Sequence, residues 1–279
     1  MNIKRILVLF FVLLFSSLNA WAQQKPMQRI ISLGPVITEE LFLLESGDKL
    51  VGCTTYCQRP EAAKYKEKVG SVQEINLEKV LSLKPDVVLA TELTDPSVKQ
   101  KLRALGVRVV DIPNARNFSE ICDVFLKLGQ MVGQESLART IIAESQSKVE
   151  ELRSKLANAE RAKVFVQVGS DPLVTVGGDT FADDFIGFAG GVNIVSQKGY
   201  MQYSREQVVA SDPDVMLISS MGFDGQKEAQ NWKAFKTLKA VAQHRIFIID
   251  QYLLCSPTPV SFVETLKTVI HDLHPGTGL

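Results

Sequence analysis

Two segments of the chain, separated by about half its length, share one pattern of residues. Residues 76–89 (NLEKVLSLKPDVVL) align without a gap on residues 204–217 (SREQVVASDPDVML). In each segment a capping residue, Asn76 or Ser204, begins a short helical pattern, Pro and Asp end it, and an apolar run follows. A repeat of this kind restricts the fold strongly, because it predicts two lobes of similar construction within one chain.

Short β-branched runs alternate with helical patterns on both sides of the repeat. In the first half they include residues 29–34 (RIISLG) and 86–91 (DVVLAT), and in the second half residues 163–169 (KVFVQVG) and 245–250 (RIFIID). Runs this short and apolar are typical of buried strands, and their alternation with helices is typical of a parallel sheet. We therefore predict an α/β protein with a mostly parallel sheet in each lobe.

The longest helical pattern of the chain, residues 134–161, lies between the two halves. It contains neither Pro nor Gly, and its apolar residues recur at helical spacing. A helix of this length would extend ~40 Å, about the width of a lobe. The prediction is an N-terminal lobe at residues 23–133, one long rigid connecting helix at 134–161 and a C-terminal lobe at 162–279. A rigid connection implies a cleft that opens only slightly.

Residues 1–22 have the features of a secretory signal peptide. A basic start (MNIKR) precedes an unbroken apolar run at residues 6–15, and Ala20-Trp21-Ala22 matches the small residues of a cleavage site. A retained signal anchor is the alternative, but the apolar run is short for a membrane span. We predict a cleaved leader and a periplasmic protein, without a lipid anchor because no Cys follows the cleavage point.

The charge balance and the motif content exclude several classes of function. The chain has 31 Lys and Arg against 31 Asp and Glu and no basic stripe, which argues against nucleic-acid binding. It has no phosphate-binding or nucleophile motif, no His placed near a nucleophile, and no residue set with metal-site spacing. The prediction is a protein that is not an enzyme, has no metal centre and carries no cofactor.

The four cysteines are too few to form a disulfide scaffold in a chain of this size. If the run LVGCTT continues as a strand, the side chains of Cys53 and Cys57 lie ~13 Å apart, beyond the reach of a disulfide. Cys122 lies in a helical pattern and is predicted to be a buried core thiol, and Cys255 lies in a loop. The sequence leaves their pairing open.

Several segments together resemble one family of transport proteins. They are VGCTTYCQRPEAA, VGSVQEINLEKVLSLKPDVVLA, AGGVNIV and YSREQVVASDPDVMLI, and the likeness extends over residues 29–271. The chain resembles the periplasmic substrate-binding proteins of ABC importers for cobalamin, haem and iron-siderophores, and it is most similar to the cobalamin-binding members. The resemblance implies a monomer that captures cobalamin or a related corrinoid and delivers it to a permease and its ATPase. A haem or iron-siderophore ligand on the same scaffold is the alternative.

Glu78 and Glu206 occupy the same place in the two repeats, in the first helical turn. An acidic residue there can simply complement the helix dipole. The equivalent placement of one glutamate on each lobe favours a handle with two attachment points. The resemblance implies this role, because in the family these glutamates dock the binding protein onto arginines of the membrane permease.

The positions of several residues, together with the resemblance, predict which of them contact the ligand. Tyr56 follows the strand LVGCTT and Tyr252 follows the strand RIFIID, at the edge where parallel-sheet proteins place their ligand sites. Tyr200 is a further cleft aromatic, and ordinary half-buried packing is the alternative for all three. The resemblance matches Tyr56 to the ligand-contacting tyrosine of the first lobe.

Val72 stands where the cobalamin pattern has a tryptophan. The other predicted ligand residues are Cys57, Asp171, Leu173 and the second-lobe segment Gln251, Tyr252, Leu253, Leu254 and Cys255, which is neutral where the cobalamin pattern is charged. For Cys57 and Cys255, small-residue packing is the alternative to a ligand role, in which a thiolate could be an axial ligand to haem iron.

Overall fold

The computed structural model describes residues 27–219, 223–255 and 257–276. The predicted signal peptide, residues 1–22, lies outside these ranges. The described chain forms two lobes, each built on its own β-sheet, as the repeat predicts. Among the described helices, none combines the length and the apolar character that crossing a membrane requires.

The sheet of the N-terminal lobe has four strands, all parallel. Alternate residues of its first strand pack on opposite faces, with Ile30 toward the first helix and Ile31 toward Val80 and Leu102 of the helices on the other side. Helices on both faces explain why the strands are apolar throughout. In chain order the strands are β1 (Ile30–Ser32), β2 (Leu50–Cys53), β3 (Val87–Ala90) and β4 (Val109–Asp111), and the helices are α1 (Pro35–Leu43), α2 (Leu77–Ser82) and α3 (Pro96–Ala104). Their spatial order is β2-β1-β3-β4.

Two long helices follow. The first, α4 (Phe118–Val132), ends at Gly133, whose φ of 77° is in the left-handed region that favours glycine. The second, α5 (Glu135–Ser154), is shorter than the connecting helix predicted at residues 134–161. After Ser154 tight turns direct Leu156 into the core of the C-terminal lobe. Burial of that side chain overrides the helix propensity of the residues around it.

The sheet of the C-terminal lobe is mixed, with three parallel strand pairings and two antiparallel ones among its described residues. Its second strand is antiparallel to both neighbours, because a turn at Asp171 and Pro172 joins it directly to the first as a hairpin. The strands are β5 (Lys163–Ser170), β6 (Leu173–Val176), β7 (Val192–Asn193), β8 (Tyr200–Gln202), β9 (Val215–Ser219) and β10 (Ile246–Ile249). The spatial order is β10-β9-β5-β6-β8, and β7 also pairs with β5. The helices are α6 (Phe181–Phe188), α7 (Arg205–Ser211), α8 (Gly225–Trp232), α9 (Lys239–Ala242), α10 (Gln251–Cys255) and α11 (Pro259–Leu273).

The lobes are joined by more than one helix. The C-terminal helix α11 packs against both α4 and α5, and we call these three helices the junction. The ring of Phe118 on α4 stacks on Phe262 of α11, with ring centroids 4.5 Å apart. The Phe118 backbone N–H donates to Asp184 Oδ2 at 2.7 Å, and Arg116 pairs with Asp179 at 3.4 Å. The predicted connecting helix is present as α5, and α4 and α11 pack beside it to complete the junction.

The repeat in the sequence is also a repeat of backbone conformation. Both short helices, α2 and α7, have the predicted side-chain cap at their N-terminus. Lys84 and Asp212, which correspond in the alignment, are both left-handed, with φ of 47° and 44°. Asp86 and Asp214 also correspond, and each accepts a hydrogen bond from the backbone N–H where the adjacent strand, β1 or β5, begins. The two lobes therefore share this helix-and-strand unit in detail.

Candidate functional site

The two lobes meet at the carboxyl edges of their sheets, where α/β proteins of this kind hold their ligands. The loop after β2 carries Tyr56, and α10, which follows β10, carries Tyr252. The Tyr252 hydroxyl donates a hydrogen bond to the Tyr56 backbone carbonyl at 3.0 Å. This Tyr56–Tyr252 contact closes the cleft between the lobes at one point and brings together two of the residues predicted from the sequence.

Tyr56 is presented by a tight turn. The Cys57 backbone N–H donates to the Thr54 carbonyl at 3.1 Å, and the Thr55 N–H donates to the Gly70 carbonyl at 2.9 Å. Although its neighbours are fixed in this way, Tyr56 remains 54% exposed. A half-exposed ring on a well-ordered turn is suited to contact with a flat, largely apolar ligand.

Tyr252 is held in the first turn of α10. Its backbone N–H donates to Asp250 Oδ1 at 2.8 Å. Burial, together with negative charge at Cys57 and Asp250, raises the pKa of its phenol. The hydroxyl therefore stays protonated at neutral pH, which is the state that the hydrogen bond to Tyr56 requires.

An ion pair beside this contact was not predicted from the sequence. Arg59 Nη2 lies 3.3 Å from Glu39 Oε1, and the Glu39 side chain is only 14% exposed. Burial raises the pKa of Glu39, Arg59 lowers it, and the charge of Glu264 on the other lobe raises it further. Arg59 also acts electrostatically on Tyr252. The only sequence feature that indicated this pair was the charged residue in QRP (residues 58–60), shortly after Tyr56. The pair places polar groups next to the two aromatic rings.

Three of the predicted ligand residues present almost no surface. Cys57 is 0%, Leu254 1% and Leu173 8% exposed. Cys57 lies in the core of the N-terminal lobe, because the turn after β2 directs its side chain inward. Leu254 and Leu173 lie in the two cores of the C-terminal lobe, the former because its segment is a helix with an inner face and not a loop. The structure therefore places these three side chains in the cores of the lobes rather than on the surface of the cleft.

The other predicted ligand residues have different positions. Val72 lies half-buried in the turn after Gly70, next to the Tyr56 loop, and Asp171 is exposed in the turn between β5 and β6. Leu253 packs half-buried against the core of the C-terminal lobe. Tyr200 pairs with Val176 at the end of β6 away from the cleft edge, so the structure does not bring it to the cleft. Gln251 and Cys255 lie in α10, and their side chains lie outside the described part of the structure.

The separation predicted for Cys53 and Cys57 is also wrong. Strand β2 ends at Cys53, and the turn closed by the hydrogen bond from Cys57 N–H to the Thr54 carbonyl reverses the chain, so that each thiol shifts the pKa of the other. Cys122 is buried, as predicted. In the described ranges there is no group of three or more His, Cys, Asp or Glu that could hold a metal ion.

Glu78 and Glu206 lie exposed in the first turns of α2 and α7. A hydrogen bond to its own backbone N–H and another to Ser204 lower the pKa of Glu206, which is therefore negatively charged at neutral pH. Neither carboxylate is part of the cleft contact. The structure thus presents the pair as two exposed carboxylates on equivalent helices of the two lobes.

A buried network holds α7 in place behind Glu206. Arg205 forms an ion pair with Glu228 of α8, and its guanidinium lies 4.5 Å from the centre of the Trp232 ring. Glu228 is 3% exposed and also accepts a hydrogen bond from Gln167 of β5 at 2.9 Å. Sequence analysis missed this network because its members are far apart in the chain. It anchors α7, the helix that carries Glu206, to α8 and β5.

A model of the periplasmic binding protein family matches residues 30–253. The chain belongs to this family. Like its relatives, it is a transport-associated binding protein that works with a membrane permease and an ATPase, and it is not an enzyme. Family membership places it in the periplasm or cell envelope.

Individual relatives agree with this assignment over most of the chain. A vitamin B12-binding protein of Yersinia pestis is 34% identical, with 80% of this chain and 79% of that protein covered. An uncharacterized ABC transporter substrate-binding lipoprotein of Bacillus subtilis is 31% identical, with 91% and 82% covered. Among solved structures, the periplasmic vitamin B12 binding protein of Vibrio cholerae has a TM-score of 0.76 at 28% identity, covering 91% of this chain and 99% of that one. A periplasmic heme binding protein of Pseudomonas aeruginosa shares the fold, with a TM-score of 0.82 at 24% identity and 90% and 94% covered.

Proposed function

We propose that the protein binds cobalamin or a related corrinoid in the cleft and delivers it to the permease of an ABC importer. It acts as a monomer in the periplasm, without a lipid anchor and without a resident cofactor. The observation that carries the proposal is the Tyr56–Tyr252 contact, which places an aromatic residue of each lobe on opposite sides of one cleft. The vitamin B12-binding relatives support the choice of ligand.

The chemistry of the cleft suits a large, flat, amphipathic ligand. The rings of Tyr56 and Tyr252 offer apolar faces, and the Arg59–Glu39 pair beside them offers charged hydrogen-bonding groups. Corrinoids combine a broad ring with polar amide substituents, so both kinds of group are used. Entry of such a ligand requires that the hydrogen bond between Tyr252 and Tyr56 opens, which costs little because a typical hydrogen bond contributes about 1 kcal/mol.

A haem or iron-siderophore ligand is the second candidate. The specific observation in its favour is the neutral segment Gln251–Cys255, because the charges of the cobalamin pattern are missing there. A tyrosine hydroxyl such as that of Tyr252 can also serve as an axial ligand to haem iron. The heme binding protein of Pseudomonas aeruginosa is consistent with this alternative, but its similarity supports only a shared fold and not a shared ligand.

Calorimetric titration with cyanocobalamin, cobinamide, haemin and a ferric hydroxamate, side by side, distinguishes the two candidates. We expect saturable binding of a corrinoid at one site per chain, and weaker or no binding of the other two ligands. Absorption spectra of the haemin titration provide an independent check, since axial ligation shifts the haem spectrum. Tighter binding of haemin or the hydroxamate than of either corrinoid would reject the corrinoid assignment.

We also propose that Glu78 and Glu206 dock the loaded protein onto the permease. Both are exposed, both lie in the first turn of a short capped helix, and the two helices are equivalent in the repeat. Arg205 anchors the second helix through Glu228, so the helix that carries Glu206 is held in place. Two exposed carboxylates on separate lobes match two cationic groups on a partner, and both must engage for full affinity.

A further inference from the structure

Two thiols lie side by side beneath the turn that presents Tyr56. Cys53 is the last residue of β2 and Cys57 closes the turn that follows, and both are 0% exposed. Lys68 contacts both residues, and each thiol shifts the pKa of the other. Neither thiol has a role in the proposed function.

The surroundings of this pair are polar, although it is buried. Lys68 Nζ donates to Cys53 Sγ at 3.3 Å, and to the backbone carbonyls of Cys57 at 3.0 Å and Ala63 at 2.9 Å. Thr38 Oγ1 donates to Cys57 Sγ at 3.2 Å, and Thr54 Oγ1 lies 3.3 Å from the same sulfur. An ammonium group and hydroxyl donors around sulfur are the groups that stabilise a thiolate.

Cys122 provides a contrast within the same chain. It lies on α4 in an apolar core cluster, and burial raises the pKa of its thiol to about 12. In the pair, by contrast, hydrogen bonds from Cys53, Thr38 and Thr54 lower the pKa of Cys57. The pair therefore has both a nucleophilic sulfur and a second sulfur within reach, whereas Cys122 has neither.

We propose that Cys53 and Cys57 are an oxidisable dithiol that closes into an intramolecular disulfide in the cell envelope, and that the structure shows its reduced form. The oxidant is a disulfide-bonded species, either a protein or a small molecule, of the kind that an oxidising compartment supplies. The proposal concerns a covalent modification and does not depend on which ligand the cleft holds.

The chemistry is thiol–disulfide exchange in two steps. The Cys57 thiolate attacks one sulfur of the oxidant, which forms a mixed disulfide and releases one oxidant thiolate. Cys53 then loses its proton and attacks Cys57 Sγ, which forms the Cys53–Cys57 bond and releases the second oxidant sulfur. Two electrons and the protons of two thiols pass to the oxidant, which leaves as two thiols.

Burial decides when this exchange takes place. Because both sulfurs are inaccessible once the turn is closed, an oxidant reaches them late in the folding of the exported chain, when Lys68 and Thr38 already lie near the sulfurs and the turn still opens. The ring that forms contains Thr54, Thr55 and Tyr56. The disulfide would therefore covalently fix the turn that now depends on the hydrogen bond from Cys57 to Thr54.

The position of Tyr56 between the two cysteines makes the linkage directly measurable. The full chain is exported, quenched in acid, and alkylated with N-ethylmaleimide in denaturant without a reductant. Chymotrypsin cleaves after Tyr56 and separates Cys53 from Cys57. We expect the two fragments to remain joined, to be lighter by two hydrogen atoms than the sum of their unmodified masses, and to separate with one alkyl group each after reduction.

A refolded sample and two cysteine variants serve as controls for the assignment of the disulfide. Reduced, purified protein incubated with oxidised glutathione during refolding should regain the same linkage. The C53S variant should lose it, and C122S should retain it. Alkylation of both cysteines without reductant, in the exported and the refolded protein alike, would overturn the proposal, and so would a bond from either cysteine to Cys122 or Cys255. The wild-type result is decisive even where a variant fails to fold.

Discussion

Replacement of Glu40 by Gln should make the protein less sensitive to rising pH. Glu40 lies on α1, is 2% exposed, and its Oε2 has no hydrogen-bond partner. Burial, followed by the charge of the neighbouring Glu39, raises its pKa from 4.5 to about 8. The carboxyl is therefore uncharged in the folded protein at neutral pH, whereas it ionises freely in the unfolded chain.

The sign and size of the effect follow from proton linkage. Between pH 4.5 and about pH 8 the folded state binds more protons at Glu40 than the unfolded state, so the free energy of unfolding falls as the pH rises. One pKa unit corresponds to about 1.4 kcal/mol, so this group destabilises the wild-type protein by ~3–4 kcal/mol more at pH 8 than at pH 5. The amide of the E40Q variant does not ionise, and this component of the pH dependence disappears.

Urea unfolding followed by circular dichroism at pH 5 and pH 8 measures the effect. At each pH, the free energy of unfolding of the wild type is subtracted from that of E40Q. The change in this difference from pH 5 to pH 8 measures the ionisation of Glu40, because a packing defect of the variant contributes equally at both pH values. E144Q, at an exposed position of α5, is the matched control and should leave the pH dependence unchanged. If the two stability curves of wild type and E40Q stay parallel from pH 5 to pH 8, Glu40 is not a buried, uncharged carboxyl.

Three further predictions test the site and the scaffold. Y56A should weaken ligand binding by roughly 1–3 kcal/mol in calorimetry, because an aromatic contact is lost. Y65A, at a tyrosine that is nearby in the chain and 82% exposed, should not weaken it. If Y56A binds the ligand as tightly as the wild type, Tyr56 does not belong to the site. Ligand should hardly change the radius of gyration in solution scattering, because the junction fixes the lobes, and a contraction of several ångströms would contradict this. Replacement of both Glu78 and Glu206 by Arg should preserve ligand affinity and abolish uptake in a reconstituted importer. Each single replacement should reduce uptake partly, and E144R should leave it normal. Full transport by the double variant would show that the two glutamates only complement helix dipoles and do not dock the protein.

The sequence was sufficient to predict features that depend on local patterns. Asn76 and Ser204 identified the capped helices of the repeat, and the apolar runs identified the strands that pair in parallel. Tyr56 and Tyr252 were predicted as cleft residues because each directly follows a strand, and the structure brings them into contact. In each case a few consecutive residues contain the whole signal.

Features that depend on distant partners or on a change of direction were missed. Cys57 was placed far from Cys53 because a strand was extended through a turn that hydrogen bonds to Thr54 and Gly70 create. The helix after Gln134 was extended too far because burial of Leu156 depends on a core that the local sequence does not reveal. The Arg205–Glu228 pair depends on two helices meeting in space. Periodicity alone contains none of this information.

The junction has a consequence for how the chain reaches its native state. Phe118, from the first half of the chain, belongs to the same core cluster as Phe262 of α11, which is the last helix of the chain. The two lobes are therefore not independent folding units, although each has its own sheet. That shared core remains incomplete until the final residues are available, so a chain truncated before α11 would leave Phe118 without its stacking partner. Completion of the fold thus waits for the arrival of the C-terminus.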